Sequence, residues 1–399
     1  MKFLDTFAAR VPGLDLMRGI AIVWVVLFHF RYARLPHVFY WPARYGWMGV
    51  DLFFVLSGYL IGSQLLRPYL HGSAPSLRRF YIRRAFRILP AFLAVFALYF
   101  AVPGFREAPG LSPAWQFLTF TENFRINYFT DQAFSHFWSL CVEEHFYLCL
   151  PLLVLVLMRK PRFGKALSFV LAILLFGIAM RAWIYLHQLK PILVSGDEDS
   201  FLTLYVERIY YPTYTRLDGL LVGVVLASIK NFRPAWWERL LSRGPLLLAS
   251  GMACCAWAMW LFRDRFSLSG TLFGFPLISL GLGLLIISTI SPPNVEFCRR
   301  ALPGSAGMEI RRLFIQASAI AATLAYSLYL THKEIGHLDR VYLGSYMQSG
   351  GWPAISVLFV TSTLAAALLY FGVERPFLRL RERIMSRRPS PAAESAVAS

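Results

Sequence analysis

The 399 residues are 57% hydrophobic and carry a formal net charge of +18, a balance that a soluble domain of this size does not tolerate. Apolar runs of about 20 residues, long enough to cross a ~30 Å hydrocarbon core as helix, make the chain an all-α polytopic membrane protein. The basic residues flank those runs instead of forming a soluble patch, so they speak for membrane topology and membrane lipids and against a nucleic-acid partner.

About ten transmembrane helices are expected, near 14–30, 46–66, 87–102, 136–158, 166–187, 208–229, 245–262, 271–290, 313–332 and 353–373. With both termini cytoplasmic, 26 Lys and Arg fall on the inner side and 11 on the outer, the asymmetry that membrane insertion favours. The start does not read as a cleaved signal peptide, because Asp15 and Arg18 interrupt the apolar run and no small-residue site follows it. The outer segment Pro103 to Ser135 suits a few turns of interfacial helix or a partly ordered lid. Residues 1–380 form one membrane domain, and 381–399 are expected as a disordered tail, basic and then Ser/Ala-rich. Cys141, Cys149, Cys254 and Cys255 lie in apolar runs and Cys298 in a short loop, with no disulfide framework and no metal-ligand spacing, so no metal is expected.

Ionisable groups inside a bilayer are costly and mark function by default. The first span holds Asp15, Arg18 and His29, and Arg18 and His29 are separated by roughly 16 Å along a helix. Asp15 is placed to pair with Arg18. Four further spans bring polar groups toward the outer layer where His29 lies: Asp51; Ser139, Glu143 and Glu144; Arg216 and Asp218 in the outer to middle region; and His332, with Tyr326 at mid-depth on the same span. Arg216 and Asp218 are two apart on a helix and should serve different neighbours. On the inner side RRFYIRRAFRILP gathers Arg83, Arg84 and Arg87, whose fork geometry and permanent charge suit phosphates. Transfer of an activated group across the membrane would use this arrangement. A phosphate-rich donor is held inside, and His29 takes a proton from an acceptor hydroxyl outside, with Glu143 orienting or balancing the imidazole.

These residues resemble the acyltransferase-3 family, bacterial integral-membrane enzymes that O-acetylate polysaccharides and glycosides. LDLMRGIAIVWVVLFH carries an arginine, ten residues and a histidine on Arg18 and His29. GVDLFFVLSGYLI and RRAFRILP are similar to the second-span and arginine motifs, and FWSLCVEEHFYL carries the serine-to-glutamate spacing on Ser139 and Glu143. TRLDGLLVG, AYSLYLTH and ERPFLRL complete the order. The resemblance implies a cytoplasmic acyl-coenzyme A donor, usually acetyl-CoA, held by Arg83, Arg84 and Arg87, with His29 catalytic and a glycan or glycoside hydroxyl as acceptor. It implies a multi-pass protein of the bacterial inner membrane. Two departures stand out: His145 replaces a common Gln, and Lys333 and Glu334 follow His332 where Pro is frequent. The hydrolase-like domain of some relatives is not expected here, so acylation finishes in the membrane domain or a separate periplasmic or glycan-assembly protein takes part. The rival reading is a transporter or exporter of a glycan or lipid-linked intermediate, which would use the same polar layer as its path; repeat halves with interrupted spans, its usual signature, are not found.

Overall fold

The computed structural model describes residues 11–161, 163–264 and 266–386. Among them there is no strand, and nine helices are long and apolar enough to cross a membrane. The principal helices are α1 (Pro12–His29), α2 (Met48–Leu66), α3 (Leu77–Ala101), α4 (Trp138–Leu157), α5 (Phe163–Ile184), α6 (Asp218–Phe232), α7 (Gly244–Leu261), α8 (Phe275–Ile290), α9 (Gly304–Tyr342), α10 (Gly351–Leu369) and α11 (Arg375–Ser386).

The span expected at 208–229 is the one that falls short. Pro212 lacks an N–H and is followed by a tight turn, Thr213–Thr215, so α6 starts only at Asp218 and has 15 residues. Its stability comes from packing on α2 through two small-xxx-small pairs, Gly58/Gly62 and Gly219/Gly223. A Cβ on Gly58 would lie 2.0 Å from the Leu220 carbonyl oxygen, and one on Gly223 would lie 2.3 Å from that of Val55. The backbones touch, and only glycine permits it.

α9 departs in the other direction. Nothing between Pro303 and Gly344 breaks a helix, so 39 residues run continuously and His332 sits well inside the helix instead of closing a span. α9 packs against α1 and α10, and α1 packs against α2. The segment expected as an interfacial helix or lid is an ordered cap with two short helices, Ala114–Leu118 and Glu122–Arg125. Aromatic stacking seats it on α3, with ring centroids 4.2 Å apart for Tyr99 and Phe134 and 4.8 Å for Phe92 and Phe137. Two smaller expectations change. Cys298 lies on a helix, Pro292–Ala301, not in a loop. The chain stays helical through Ser386, past the expected start of the tail at 381; residues 387–399 of that tail lie outside the described residues.

Candidate active site

Helix direction sorts the polar groups into two ends. α1 runs from Arg18 to His29, and α3 runs from Arg84 and Arg87 to Tyr99, so both go from an arginine end to a histidine end.

At the histidine end, His29 closes α1 and His332 reaches it from α9, with Nδ1 of His29 3.0 Å from Nε2 of His332. The neighbours set the tautomers. His332 Nδ1 lies 2.9 Å from the Tyr329 carbonyl and 3.1 Å from that of Leu328, both acceptors only, so it carries the hydrogen and Nε2 is left to accept. His29 Nδ1 faces two acceptors, His332 Nε2 and the Val25 carbonyl at 3.1 Å, so it also carries the hydrogen. His29 is then oriented with a bare Nε2, the form a general base needs.

A second tier supports this pair. His136 stands 5.3 Å from His332 between ring centroids, and its Nε2 is 3.7 Å from Glu334 Oε1. Lys333 is ion-paired with Glu107 at 2.7 Å and donates to Ser135 Oγ at 3.1 Å. Burial pushes the Glu107 carboxyl up, but the Lys333 ammonium and its bond outweigh that and hold it below the usual carboxylate range. Tyr99 is bonded to Glu334 and, at 2.7 Å, to Glu107. One hydroxyl hydrogen cannot serve two carboxylates, so a proton resides in this group; Glu107 already balances Lys333, which leaves Glu334 to hold it.

Between the two ends lies a cavity of about 750 Å³. Arg18, Arg84, Arg87, Arg375, Arg379 and Arg381 border it at one end, Ser57, Glu143 and Tyr147 along the wall, and Ser139 and Tyr329 at the other. Ser139 Oγ is 2.5 Å from the Tyr329 hydroxyl, which donates to the His136 carbonyl at 2.9 Å. The Tyr329 ring is 5.8 Å from that of His332, so the cavity stops one side chain short of the histidine pair.

The sequence-derived candidates separate on this geometry. Arg18 pairs with Asp15 at 3.1 Å, as expected. Glu143 does not meet His29: it accepts a bond of 2.5 Å from Ser57 Oγ, itself bonded by Tyr147 at 3.1 Å, because α4 turns it toward α2 and the cavity. Glu144, next in sequence, does not border the cavity, and its Oε1 is buried without a partner. Tyr326 lines the cavity and donates to the Ile88 carbonyl at 2.9 Å. His145 meets Thr213 Oγ1 at 2.7 Å, away from the cavity.

Arg216 and Asp218 do take different partners. Arg216 pairs with Asp51 at 2.7 Å, with the Tyr210 and Phe275 ring centroids 4.4 and 4.3 Å from its guanidinium. Asp218 receives both ends of the Arg181 guanidinium at 2.7 and 3.1 Å. None of Asp51, Arg216 and Asp218 borders the cavity; these pairs brace helices. The arginine motif also splits. Arg84 and Arg87 border the cavity, whereas Arg83 lines a neighbouring one. The π-helical turn Tyr370–Glu374 brings buried Glu374 to Arg87, and Ser327 donates to its other oxygen at 2.9 Å.

Sequence reasoning missed His136, Glu107, Lys333 and Glu334 at one end and Arg375, Arg379 and Arg381 at the other. Lys333 and Glu334 left a trace only as a departure from the family pattern, and the arginines left one in and just after the closing ERPFLRL run, whose Arg375, Leu378 and Arg379 border the cavity at helical spacing. Among the described residues, no group of three or more His, Cys, Asp or Glu side chains is arranged to hold a metal ion.

The family described as "Acyltransferase domain" matches residues 11–371. The O-acetyltransferase OatA of Staphylococcus aureus strain NCTC 8325 is 28% identical over 391 residues, covering 92% of this chain and 57% of that protein. The putative O-acetyltransferase SACOL0978 of strain COL is 26% identical over 412 residues, covering 95% and 59%. The chain thus spans less than two thirds of the length of these curated relatives. No solved structure matches it.

Proposed function

The chain belongs to the acyltransferase family, and from that premise we propose that it is a membrane-embedded O-acetyltransferase. It moves an acetyl group from cytoplasmic acetyl-CoA to a hydroxyl of an exported or cell-surface glycan. In this reading the protein crosses the bacterial inner membrane with both termini inside, so the arginine end faces the cytoplasm and the histidine end faces out. One observation carries the proposal: a single cavity is bordered by Arg84, Arg87, Arg375 and Arg379 at one end and by Ser139 and Tyr329, beside the His29–His332 pair, at the other.

The residues fit the donor. Guanidinium groups at the mouth match its phosphates, and Arg87 is fixed by the bond it donates to Glu374 while Arg84 keeps Nε without a partner. The wall of Phe53, Ile88, Tyr326 and Ser57, part apolar and part hydroxyl, suits a slender, uncharged arm ending in a thioester. At the far end His29 Nε2 accepts the proton of the acceptor hydroxyl as its oxygen attacks the thioester carbonyl. Ser139 places its hydroxyl near the developing oxyanion and can turn its hydrogen there from Tyr329, which stays bonded to the His136 carbonyl. The carbon–sulfur bond then breaks, and the proton on His29 passes to the thiolate that leaves. His332 Nε2 accepts from His29 Nδ1 throughout and steadies the imidazolium, the part a carboxylate plays in a triad. Asp15 holds Arg18 at the cavity edge, and Glu143 fixes Ser57 on the wall.

The test is acetyl transfer by the purified protein in lipid nanodiscs, with acetyl-CoA and a glycan oligosaccharide. His29→Ala should lower kcat by roughly 10²–10⁴-fold with donor binding retained. Arg84→Ala should weaken donor binding by about tenfold or more, the worth of one charge-assisted bond. Full transfer in His29→Ala overturns the base, and unchanged donor affinity in Arg84→Ala returns the arginines to topology alone. Glycan movement into vesicles without acetylation would favour an exporter.

A further inference from the structure

A cleft of about 880 Å³ opens beside the donor cavity, again at the arginine end. The last turn of α2 and the tight turn Arg67–His71 after it form one side, α3 a second and the end of α6 a third. α3 sends Arg84 and Arg87 to the donor cavity and Arg83 to this cleft, while Gln64 borders both. Arg67, His71, Arg83 and Lys230 line the cleft with Asn231, and no carboxylate does. Arg67, Arg83 and Lys230 take part in no ion pair among the described residues; Lys230 donates only to the Tyr59 hydroxyl, at 3.0 Å.

Helix dipoles account for part of this charge. Arg67 and Lys230 sit at the C-terminal ends of α2 and α6, where cations are favoured. Arg83 does not fit that account. It is the seventh residue of α3, past the first turn where the dipole acts, and it stands among four other arginines, Arg78, Arg79, Arg84 and Arg87, with no acidic residue in that helix's first turn. Like charges gathered this closely, with no carboxylate in the cleft, are stabilised by an anion beside them.

We propose that this cleft binds a phosphate group, separate from any phosphates in the donor cavity. Two sources share that chemistry: the 3′-phosphate on the donor's ribose, reaching past Gln64, and the headgroup of an anionic phospholipid entering from the membrane surface. The first source rests on the function proposed above; the second does not.

Two variants test the cleft in the full chain, Arg67→Gln/Lys230→Gln and the exposed single change Arg83→Gln, in phosphatidylcholine nanodiscs. Affinity is measured for acetyl-CoA and for its 3′-dephospho form, and the melting temperature is followed as phosphatidylglycerol is added. If the ribose phosphate occupies the cleft, the wild type prefers acetyl-CoA by about tenfold and either variant loses the preference. If a headgroup occupies it, the donors behave alike in all proteins, and phosphatidylglycerol raises the wild-type melting temperature but not that of the variants. Variants that fold and match the wild type in both measurements overturn the proposal. Should the wild type bind no acetyl-CoA, the proposed function fails while the lipid titration still decides the cleft.

Discussion

Removing His332 tests the histidine pair without touching the base. His332 holds its own hydrogen on the backbone through Nδ1, at 2.9 Å from the Tyr329 carbonyl, and offers Nε2 to His29 at 3.0 Å. His332→Phe leaves His29 Nδ1 only the Val25 carbonyl, at 3.1 Å. What is lost is one hydrogen bond to a group that becomes charged in the transition state, worth about 1.5–3 kcal/mol. At 1.36 kcal/mol per factor of ten, kcat should fall roughly 10- to 150-fold. The donor KM should hold, because His332 does not border the cavity. His332→Gln, whose amide oxygen can accept from His29, should recover part of the rate, which a merely structural role for the ring would not allow. Because the two histidines act as one unit, His29→Ala/His332→Phe should be no slower than His29→Ala alone. The assay is single-turnover acetyl transfer in nanodiscs, with donor affinity measured separately. Full activity in His332→Phe, or multiplicative losses in the double variant, would refute the relay.

Two further predictions concern stability. Asp218→Asn leaves the fully buried Arg181 without its carboxylate and should destabilise the protein by about 3–5 kcal/mol, read from unfolding in detergent; an unchanged midpoint would contradict the bracing role. Glu122 is fully buried in the cap and neither carboxyl oxygen has a partner; burial pushes its carboxyl well above the usual range, with only the Lys333 ammonium opposing. The folded state therefore binds the proton more tightly, so this group's contribution to stability falls as pH rises from the ordinary carboxylate value of about 4.3 toward the raised one. Glu107, held low, works in the opposite sense: its contribution is present above the ordinary value and is lost only as pH falls through the lowered one. Melting temperature between about pH 5 and pH 8 should thus decline less steeply in Glu122→Gln than in the wild type, and parallel profiles would reject the assignment.

Much of this was legible because membranes make sequence explicit. Each apolar run announces a helix, and each charge within one must be explained. Arg18, His29, Arg84, Arg87, Ser139 and Tyr326 stood out for that reason, and they fall along one cavity or beside it. What sequence could not supply was rotation and partnership. Glu143 is four residues from Ser139 on the same helix face, yet its nearest partner, Ser57, is 86 positions away. Arg83 and Arg87 share a face by spacing, but α3 forms a partition and the two border different cavities. His136, Glu107 and Lys333 escaped because they lie at or beyond the ends expected for the spans, where polar residues raise no alarm. The cap folds over them and buries them.

The buried charges also show why intramembrane cost alone is a weak guide to catalysis. Asp51, Arg181, Arg216 and Asp218 are all buried. They stand as closed pairs, each carboxylate facing one guanidinium at 2.7 Å. A closed pair has spent its charge on geometry. Broken, it costs stability; intact, it has little left to offer a substrate. Two groups differ in being open, one bordering the cavity and one just beyond its far end. Arg84 has a buried Nε with no hydrogen-bond partner, and the Tyr147 ring centroid lies 5.5 Å from its guanidinium. His29, at the far end, has Nδ1 committed and Nε2 bare. Both kinds of charge look alike in sequence, as an expensive residue in an apolar run. What separates them is whether the partner comes from within the chain, and that distinction assigns Arg216 and Asp218 to the frame and Arg84 and His29 to the reaction.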